Sequence, residues 1–507
     1  MLGFAGTADF ERFRPIVRAA AERESALRDL PAGNLLANVD RLQDSSLWDR
    51  ELLAEFCALA RDAAKRSLGL RPFDVQLIGA LALLERNVIE MATGEGKTLV
   101  GAIAAAGFAL QHRQTHVLSV NDYLARRDAE WMGPFFHVLG VSVGWVGQHS
   151  TRDERRAAYA SDVCYVSVSE AGFDVLRDRL RTETHDTEIS SPDVVIVDEA
   201  DAVLIDEATV PLVLAGSVQS RIDHTNTAQL VRTLSAGVHY EVDADGRNVT
   251  LTDSGVTRVE VALGVANLFE HGELLTSVNI ALHAHALLTR DVDYVVRDGR
   301  VELVNAARGR VALLQRWPDG LQAAVEAKEG LAISATGSIL DSTTVHSIVS
   351  RYPTVCGMSG TALPVAEELD GFYSLRTGAL GTNVPCVRID EPDRIYSTAA
   401  QKERAFVEFV RSVHETGRPV LVGTLSVAES EHIAVELAAV GVRVAVLNAK
   451  NDAQEAAIIA RAGEFGRVTI STQMAGRGTD IRLGGEHGSD HDRIVALGGL
   501  CVIGYGR

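Results

Sequence analysis

Apolar and polar positions along this chain follow two different periods. Over Ser46 to Lys65 the apolar residues Trp48, Leu52, Leu53, Phe56, Leu59 and Ala60 recur at helical spacing, so the first part of the chain reads as a helical lead-in with one buried face. From Asn87 onward, short apolar runs alternate with helical stretches: Val88 to Met91, His116 to Val120, Val163 to Val168 and Asp193 to Val197. That alternation predicts βαβ units around a buried parallel sheet. The longest apolar run, Leu99 to Leu110, is far shorter than the roughly 20 residues needed to span a bilayer and predicts a buried helix.

The texture changes after Gly216. Tyr240 to Thr252, turning at Asp245-Gly246, and Asp293 to Val304, turning at Asp298-Gly299, read as hairpins, because Asp-Gly supplies the φ > 0 positions of a tight turn. Strand and helix alternation resumes at Pro419 to Gly423, Val442 to Leu447, Val468 to Ser471 and Leu500 to Gly504. The expected architecture is α/β, with two parallel-sheet lobes and an antiparallel α+β domain inserted in the first. The expected domains are 1–216 plus 332–375 for the first lobe (with the helical lead-in at 1–66), 217–331 for the insert, and 376–507 for the second lobe, incomplete at its C-terminus.

A length of 507 residues accommodates this division, at roughly 150 residues per domain. The formal charge of −19 opposes non-specific attraction to nucleic acid or anionic lipid, so contact with either has to be local. Cys57, Cys164, Cys356, Cys386 and Cys501 are scattered, with no C-x-x-C spacing, which argues against a disulfide framework or a zinc site and suits a reducing cytosol. Met1 to Phe10 has no basic, long-apolar pattern of a secretory signal. His283 and His285 lack a third ligand and read as helix packing, and His487, Asp490, His491 and Asp492 read as a solvated loop. Arg152, Arg155 and Arg156, interleaved with Asp153 and Glu154, read as a solvated helix face.

The strongest chemical signal is Met91-Ala92-Thr93-Gly94-Glu95-Gly96-Lys97-Thr98, standing between a short strand and the apolar helix. In a phosphate-binding loop the glycines let backbone N–H groups approach phosphate oxygens, the lysine reaches the β and γ phosphates, and the hydroxyl ligates Mg²⁺. Met91 stands where the strict pattern has glycine, so the match is to the variant ending T-G-x-G-K-T. Val194 to Asp201 supplies the partner: an apolar strand ending in Asp198, placed to hold Mg²⁺, and Glu199, placed to polarise a water. Upstream, Gln76 offers the amide donor and acceptor needed to read an adenine edge, with Phe73 for packing. Met358 to Ala362 suits a hinge that senses nucleotide, and Ile470 to Asp480 is a glycine-rich loop carrying Arg477 and Asp480.

Ten ordered motifs then carry a resemblance: RPFDVQL at Arg71 to Leu77, MATGEGKTL at Met91 to Leu99, NDYLARRDAEWM at Asn121 to Met132, GFDVLRD at Gly172 to Asp178, VDEADAVLIDEA at Val197 to Ala208, RWPDGLQAAVEAKEG at Arg316 to Gly330, GMSGTA at Gly357 to Ala362, VLVGT at Val420 to Thr424, LNAKNDAQEA at Leu447 to Ala456 and QMAGRGTDIRLGG at Gln473 to Gly485. Together they resemble the SecA preprotein translocase ATPases, most closely the accessory second SecA of actinobacteria. The resemblance implies two RecA-like lobes of the DEAD-helicase type, ATP at the lobe interface and a preprotein cross-linking domain as the insert. It implies that Gln76 reads adenine and that Gly94, Glu95, Gly96, Lys97 and Thr98 cradle phosphates. Thr98 and Asp198 would hold Mg²⁺ through nucleotide and water, with Asp198 and Glu199 serving magnesium and water. Asp480 would approach nucleotide from the second lobe, while Arg477 supports closure.

The partners implied are unfolded preproteins, the SecYEG channel at the cytoplasmic face of the membrane and a second copy of the chain, with no specific nucleic acid and no zinc. The family continues past the equivalent of Gly499 to Gly504 into an arginine-rich sixth motif. A polypeptide stopping at Arg507 is therefore expected to bind nucleotide but turn it over poorly, an arginine finger being worth ~10³ to 10⁵ in rate. The alternatives on sequence alone are a DEAD-type nucleic-acid helicase, which the charge and the long insert oppose, and a nucleotide-binding regulatory remnant.

Overall fold

A computed structural model describes residues 6–28, 39–45, 48–180, 192–218, 224–243, 245–305, 310–311, 317, 320–333, 336–447, 455–472, 481–485 and 488–506. Two compact units divide the chain: Met1–Leu214 with Asp341–Glu391, and Ala215–Leu340 with Pro392–Arg507.

The first unit is built on a seven-stranded sheet. Its spatial order is Thr377–Ala379, Val88–Glu90, Thr354–Ser359, Val194–Asp198, Thr115–Ser119, Val163–Ser167 and Val143–Val146, with every neighbouring pair parallel. Period-two alternation sends Val194 and Ile196 into the core on one face and Val195 and Val197 into the core on the other. Helices Arg50–Leu68, Asp74–Leu84, Lys97–Leu110 and Asp122–Val138 cover the first of these faces. The apolar lead-in and the run at Leu99 to Leu110 are thus buried helices, as their spacing predicts. Asp49 starts the lead-in helix by accepting from the amides of Glu51 and Leu52, and Gly69, with φ 70°, ends it in a left-handed cap.

Two boundaries move. Thr377–Ala379 pairs with Val88–Glu90, register Val88 to Thr377, so the first lobe expected to end at 375 runs on past that edge strand. Thr-Gly-Ala has no strand pattern of its own and is placed by its neighbour. The insert expected at 217–331 has paired flanking strands, Pro211–Val218 with Thr336–Thr344, which carry it further out on both sides.

The solvated face read at Arg152 to Arg156 fails at one residue. Arg152 and Arg156 are exposed, but Arg155 is buried. Its Nη1 donates to both oxygens of Asp174 (3.0 and 2.8 Å) and its Nη2 to Glu170 (2.8 Å) and the Gly147 carbonyl (2.8 Å). The helix Arg152–Tyr159 lays this one side on Val168–Arg179, where two acidic residues are buried with it. Burial lifts the Asp174 carboxyl above its ordinary range, against the pull of Arg155 and Arg177.

In the second unit, parallel strands Val444–Leu447, Val468–Thr472, Val420–Thr424 and Cys501–Gly504 form a four-stranded sheet in that order. Its core gathers Val420, Val422, Val468 and Ile470 with Phe406, Val410, Ile433 and Leu437 from flanking helices. The insert contains both expected antiparallel hairpins, Tyr240–Val242 with Val249–Leu251 and Tyr294–Arg297 with Arg300–Asn305. At the second, Asp298 (φ 50°) and Gly299 (φ 72°) both take the left-handed conformation that a two-residue hairpin turn demands.

Candidate nucleotide site

The phosphate loop hangs between strand Val88–Glu90 and helix Lys97–Leu110, at the carboxyl ends of the parallel strands. That is where open α/β sheets bind ligands. Gly94 (φ 87°) and Gly96 (φ 84°) take left-handed conformations that expose backbone N–H groups, and a Cβ on Gly94 would meet nothing within 4 Å. Lys97 and Thr98 begin a 14-residue helix whose start has no side-chain cap, so its first amides and its dipole face the loop. Lys97 Nζ donates to the Met91 carbonyl at 3.4 Å, a long contact for a full cation.

Gln76 lies behind the loop, buried. Its Oε1 accepts from the amide of Phe73 (2.8 Å) and its Nε2 donates to the Glu95 carbonyl (2.8 Å). One side chain therefore ties the turn Arg71 to Asp74 to the phosphate loop. A Cβ on Gly96 would lie 2.5 Å from Gln76 Nε2, so a larger residue there would displace that amide and would be strained at φ 84°. The turn itself is held by Arg61, which is fully buried: its Nε donates to the Pro72 carbonyl (3.0 Å) and its Nη2 pairs with Asp74. Sequence reading passes over Arg61 because a charged residue in a helix is ordinarily solvated.

Opposite, strand Val194–Asp198 delivers Asp198 and Glu199. Glu199 is 7% exposed and has φ 52°, a left-handed backbone in a residue with a bulky side chain; its amide donates to Asp198 Oδ1 (3.0 Å). Strain of this kind collects at functional sites and costs of order 1–3 kcal/mol. Burial raises the Asp198 carboxyl well above the usual carboxylate range, the charges of Glu199 and Asp128 push the same way, and Lys97 pulls it down. Asp128, buried and paired with Arg127 (2.7 Å), is a third carboxylate in this field. It sits inside the NDYLARRDAEWM motif, but nothing in that motif's spelling says that it faces the strand end.

The last acid of the D-E-A-D run is fully used. Asp201 accepts from Ser359 Oγ and Thr361 Oγ1, both at 2.6 Å, and the Thr361 amide donates back to Ser359 Oγ (3.1 Å). A Cβ on Gly360 would be 3.5 Å from Thr93 Oγ1 and 3.8 Å from Lys97 Nζ. The segment read as a hinge thus touches the carboxylate strand and the phosphate loop together. Arg477 and Asp480 lie outside the described residues. The structure brings together Gln76, Gly94, Glu95, Gly96, Lys97 and Thr98 on one side and Asp198 and Glu199 on the other.

These residues fit a magnesium nucleotide. Gly94 leaves open space, a lysine rests on a long backbone contact at a helix start, and two carboxylates gather at the adjoining strand end, which is the donor set for a triphosphate and its cation. Fold and site together define a DEAD-type phosphate-loop motor lobe, accompanied by a second α/β lobe and a large insert.

Family models agree and narrow the class: the SecA DEAD-like domain matches residues 1–370 and the SecA P-loop domain residues 385–494. The chain belongs to the SecA family of protein translocase subunits and carries its two motor domains. It is 60% identical to "Protein translocase subunit SecA 2" of Thermobifida fusca, over 100% of this chain and 67% of that protein. It is 57% identical to the SecA 2 subunit of Mycobacterium leprae, over 97% of this chain and 64% of that one. The chain spans about two thirds of the length of these curated relatives. Among solved structures, Dbp5 of S. cerevisiae bound to RNA and ADP BeF3 is similar at 12% identity and a TM-score of 0.40, covering 88% of this chain and 86% of that one.

Proposed function

We propose that this chain is the ATP-driven motor core of a protein translocase: it binds Mg²⁺–ATP at Met91 to Thr98 and couples hydrolysis to movement of unfolded preproteins. One observation carries the reading. Gln76 is hydrogen-bonded to the phosphate loop at Glu95, the Met91 amide of that loop donates to the Ser359 carbonyl, and Ser359 and Thr361 donate to Asp201, three residues past Asp198, a continuity that a site needs if the state of a phosphate is to be felt by the rest of the lobe.

Each residue has a definable part. The amides of Gly94 to Thr98 and the Lys97 ammonium bind and neutralise phosphate oxygens. Thr98 and Asp198 hold magnesium, which supplies charge neutralisation at the phosphates and a template for their orientation when bound. Glu199, kept close to the strand end by its left-handed backbone, orients and deprotonates the attacking water. Asp201 fixes Ser359 and Thr361, and these report occupancy to the remainder of the chain. The channel partner is SecYEG at the inner face of the cell membrane, and the working location is cytoplasmic and peripheral. No helix among the described residues is long and apolar enough to cross a membrane.

The test is phosphate release by the purified chain with Mg²⁺–ATP, alone and with unfolded preprotein or RNA, beside isothermal titration of the same nucleotide. Stimulation by preprotein supports the reading. Stimulation by RNA with no response to preprotein refutes it in favour of a helicase, and full cellular function of a Lys97→Ala chain would favour a regulatory role without catalysis.

A further inference from the structure

Beside the Arg71 to Asp74 turn an open cleft of about 440 Å³ has three walls. The first is that turn, with the Phe73 ring half exposed; the second is Leu380 to Asn383; the third is the N-terminal segment Asp9 to Arg14. This volume lies in the range of small-molecule sites.

The N-terminal wall is a built part of the lobe. The amide of Thr377 donates to the Gly6 carbonyl (2.7 Å) and that of Ala8 to the Thr377 carbonyl (2.9 Å), so the segment adds to the free edge of the sheet. Phe10, 3% exposed, presses on Gly378, where a Cβ would fall 2.6 Å from a Phe10 ring carbon and 2.5 Å from the Ala8 carbonyl oxygen. Glu11 grips Arg14 through two hydrogen bonds, from Nε (2.6 Å) and Nη2 (2.7 Å), which fixes the plane of the guanidinium. The second wall is tied to the phosphate loop, since the amide of Asn383 donates to Glu95 Oε2 (3.0 Å) and that of Leu380 to the Glu90 carbonyl (2.8 Å).

We infer that Gly6 to Arg14 forms the outer wall of the nucleotide's base site, and that Arg14 is the residue of that wall on which the base stacks. The inference rests on the phosphate-loop reading and extends it to the other end of the ligand. A planar guanidinium and the exposed Phe73 ring are both surfaces on which a purine stacks. Asp9 and Asp74 offer carboxylate acceptors to the exocyclic amine of adenine, whereas the keto oxygen of guanine brings a second acceptor against them. Gln76, with both ends of its amide engaged by Phe73 and Glu95, braces the walls of this site. Binding of the base therefore draws together the chain's beginning, the strand at Thr377 and the phosphate loop.

Calorimetry on the full chain tests this with three probes: ADP, GDP and inorganic tripolyphosphate. In Arg14→Ala, ADP and GDP affinities both fall about tenfold, so the preference between them is kept, and tripolyphosphate binds as before. Gly378→Val, which displaces Ala8 and Phe10 from the other side, gives the same pattern, and in the wild-type chain ADP slows amide exchange over 6–14. Wild-type ADP affinity in Arg14→Ala overturns the inference while leaving the phosphate-loop reading intact, as does an equal loss for ADP and tripolyphosphate. A wild-type chain that binds neither ADP nor tripolyphosphate overturns that reading and this inference with it.

Discussion

The two ends of the seven-stranded sheet treat polar groups in opposite ways. At the carboxyl ends, Lys97, Asp198 and Glu199 face a shared space with long or strained contacts, and a carboxyl is lifted by its surroundings. At the amino ends, around strand Thr115–Ser119, the polar groups are buried or bonded to one another. Thr115 is fully buried, His116 Nδ1 meets the Tyr352 hydroxyl at 2.9 Å, and Gln114 bonds Asp193 through its backbone and the Ser161 carbonyl through its side chain. One fold thus separates a face that keeps charges ready for a ligand from a face that hides them for stability. Substitutions at the first should move binding with little effect on folding, and at the second the reverse.

The largest effect is expected among the hidden groups. Arg155→Met leaves Asp174 and Glu170 buried with far less positive charge beside them, and should cost about 3–5 kcal/mol in urea unfolding at neutral pH. Nucleotide affinity should hardly move; a parallel drop in affinity would mean that hidden and ligand-facing charges are not separable. Lys97→Ala should reverse the pattern, weakening ATP binding about a hundredfold by calorimetry, the equivalent of about 2.7 kcal/mol, with an unchanged melting temperature.

His116 provides a finer cut. Burial pushes its folded-state pKa down to about 3, against about 6.5 when unfolded. Below about pH 6.5 the unfolded chain takes up a proton that the folded chain refuses, so stability falls as the pH drops toward 3. At pH 4.5 the loss from this one residue is about 2–3 kcal/mol, and His116→Asn should flatten the acid limb by that amount when unfolding curves at pH 7.5 and 4.5 are compared. The smallest effect should come from Asp201→Asn. An amide can accept from only one of Ser359 and Thr361 as well as the carboxylate does, so unfolding should ease by about 1 kcal/mol while ATP affinity holds and turnover falls.

Legibility in the sequence followed the same division. Strands with continuous apolar runs, such as Val194 to Val197, were readable because both of their faces are buried. The hairpin at Asp298-Gly299 was readable because few residue pairs tolerate its turn. Thr377–Ala379 could not be read, because only pairing with Val88–Glu90 makes it a strand, and Val143–Val146 is a part-exposed edge strand carrying a glycine. In the site, Lys97, Asp198 and Glu199 were legible from chemistry that tolerates few residue types. Arg61, Asp128 and the N-terminal wall were not, since each acts through tertiary placement that a local pattern does not encode. Arg155 misled because its sequence neighbours are solvated and it alone points inward.

The insert interrupts the chain between two neighbouring strands of the first sheet, and this affects how the chain is made. Val194–Asp198 and Thr354–Ser359 are direct neighbours in the middle of the sheet, yet roughly 150 residues separate them along the chain. At about 5–20 residues per second a ribosome needs about 10–30 s to reach the second strand after finishing the first. For that interval the nascent half-sheet presents the bare edge of Val194–Asp198 to the cell, an opening for misassembly that a chaperone or early docking of the insert would have to cover.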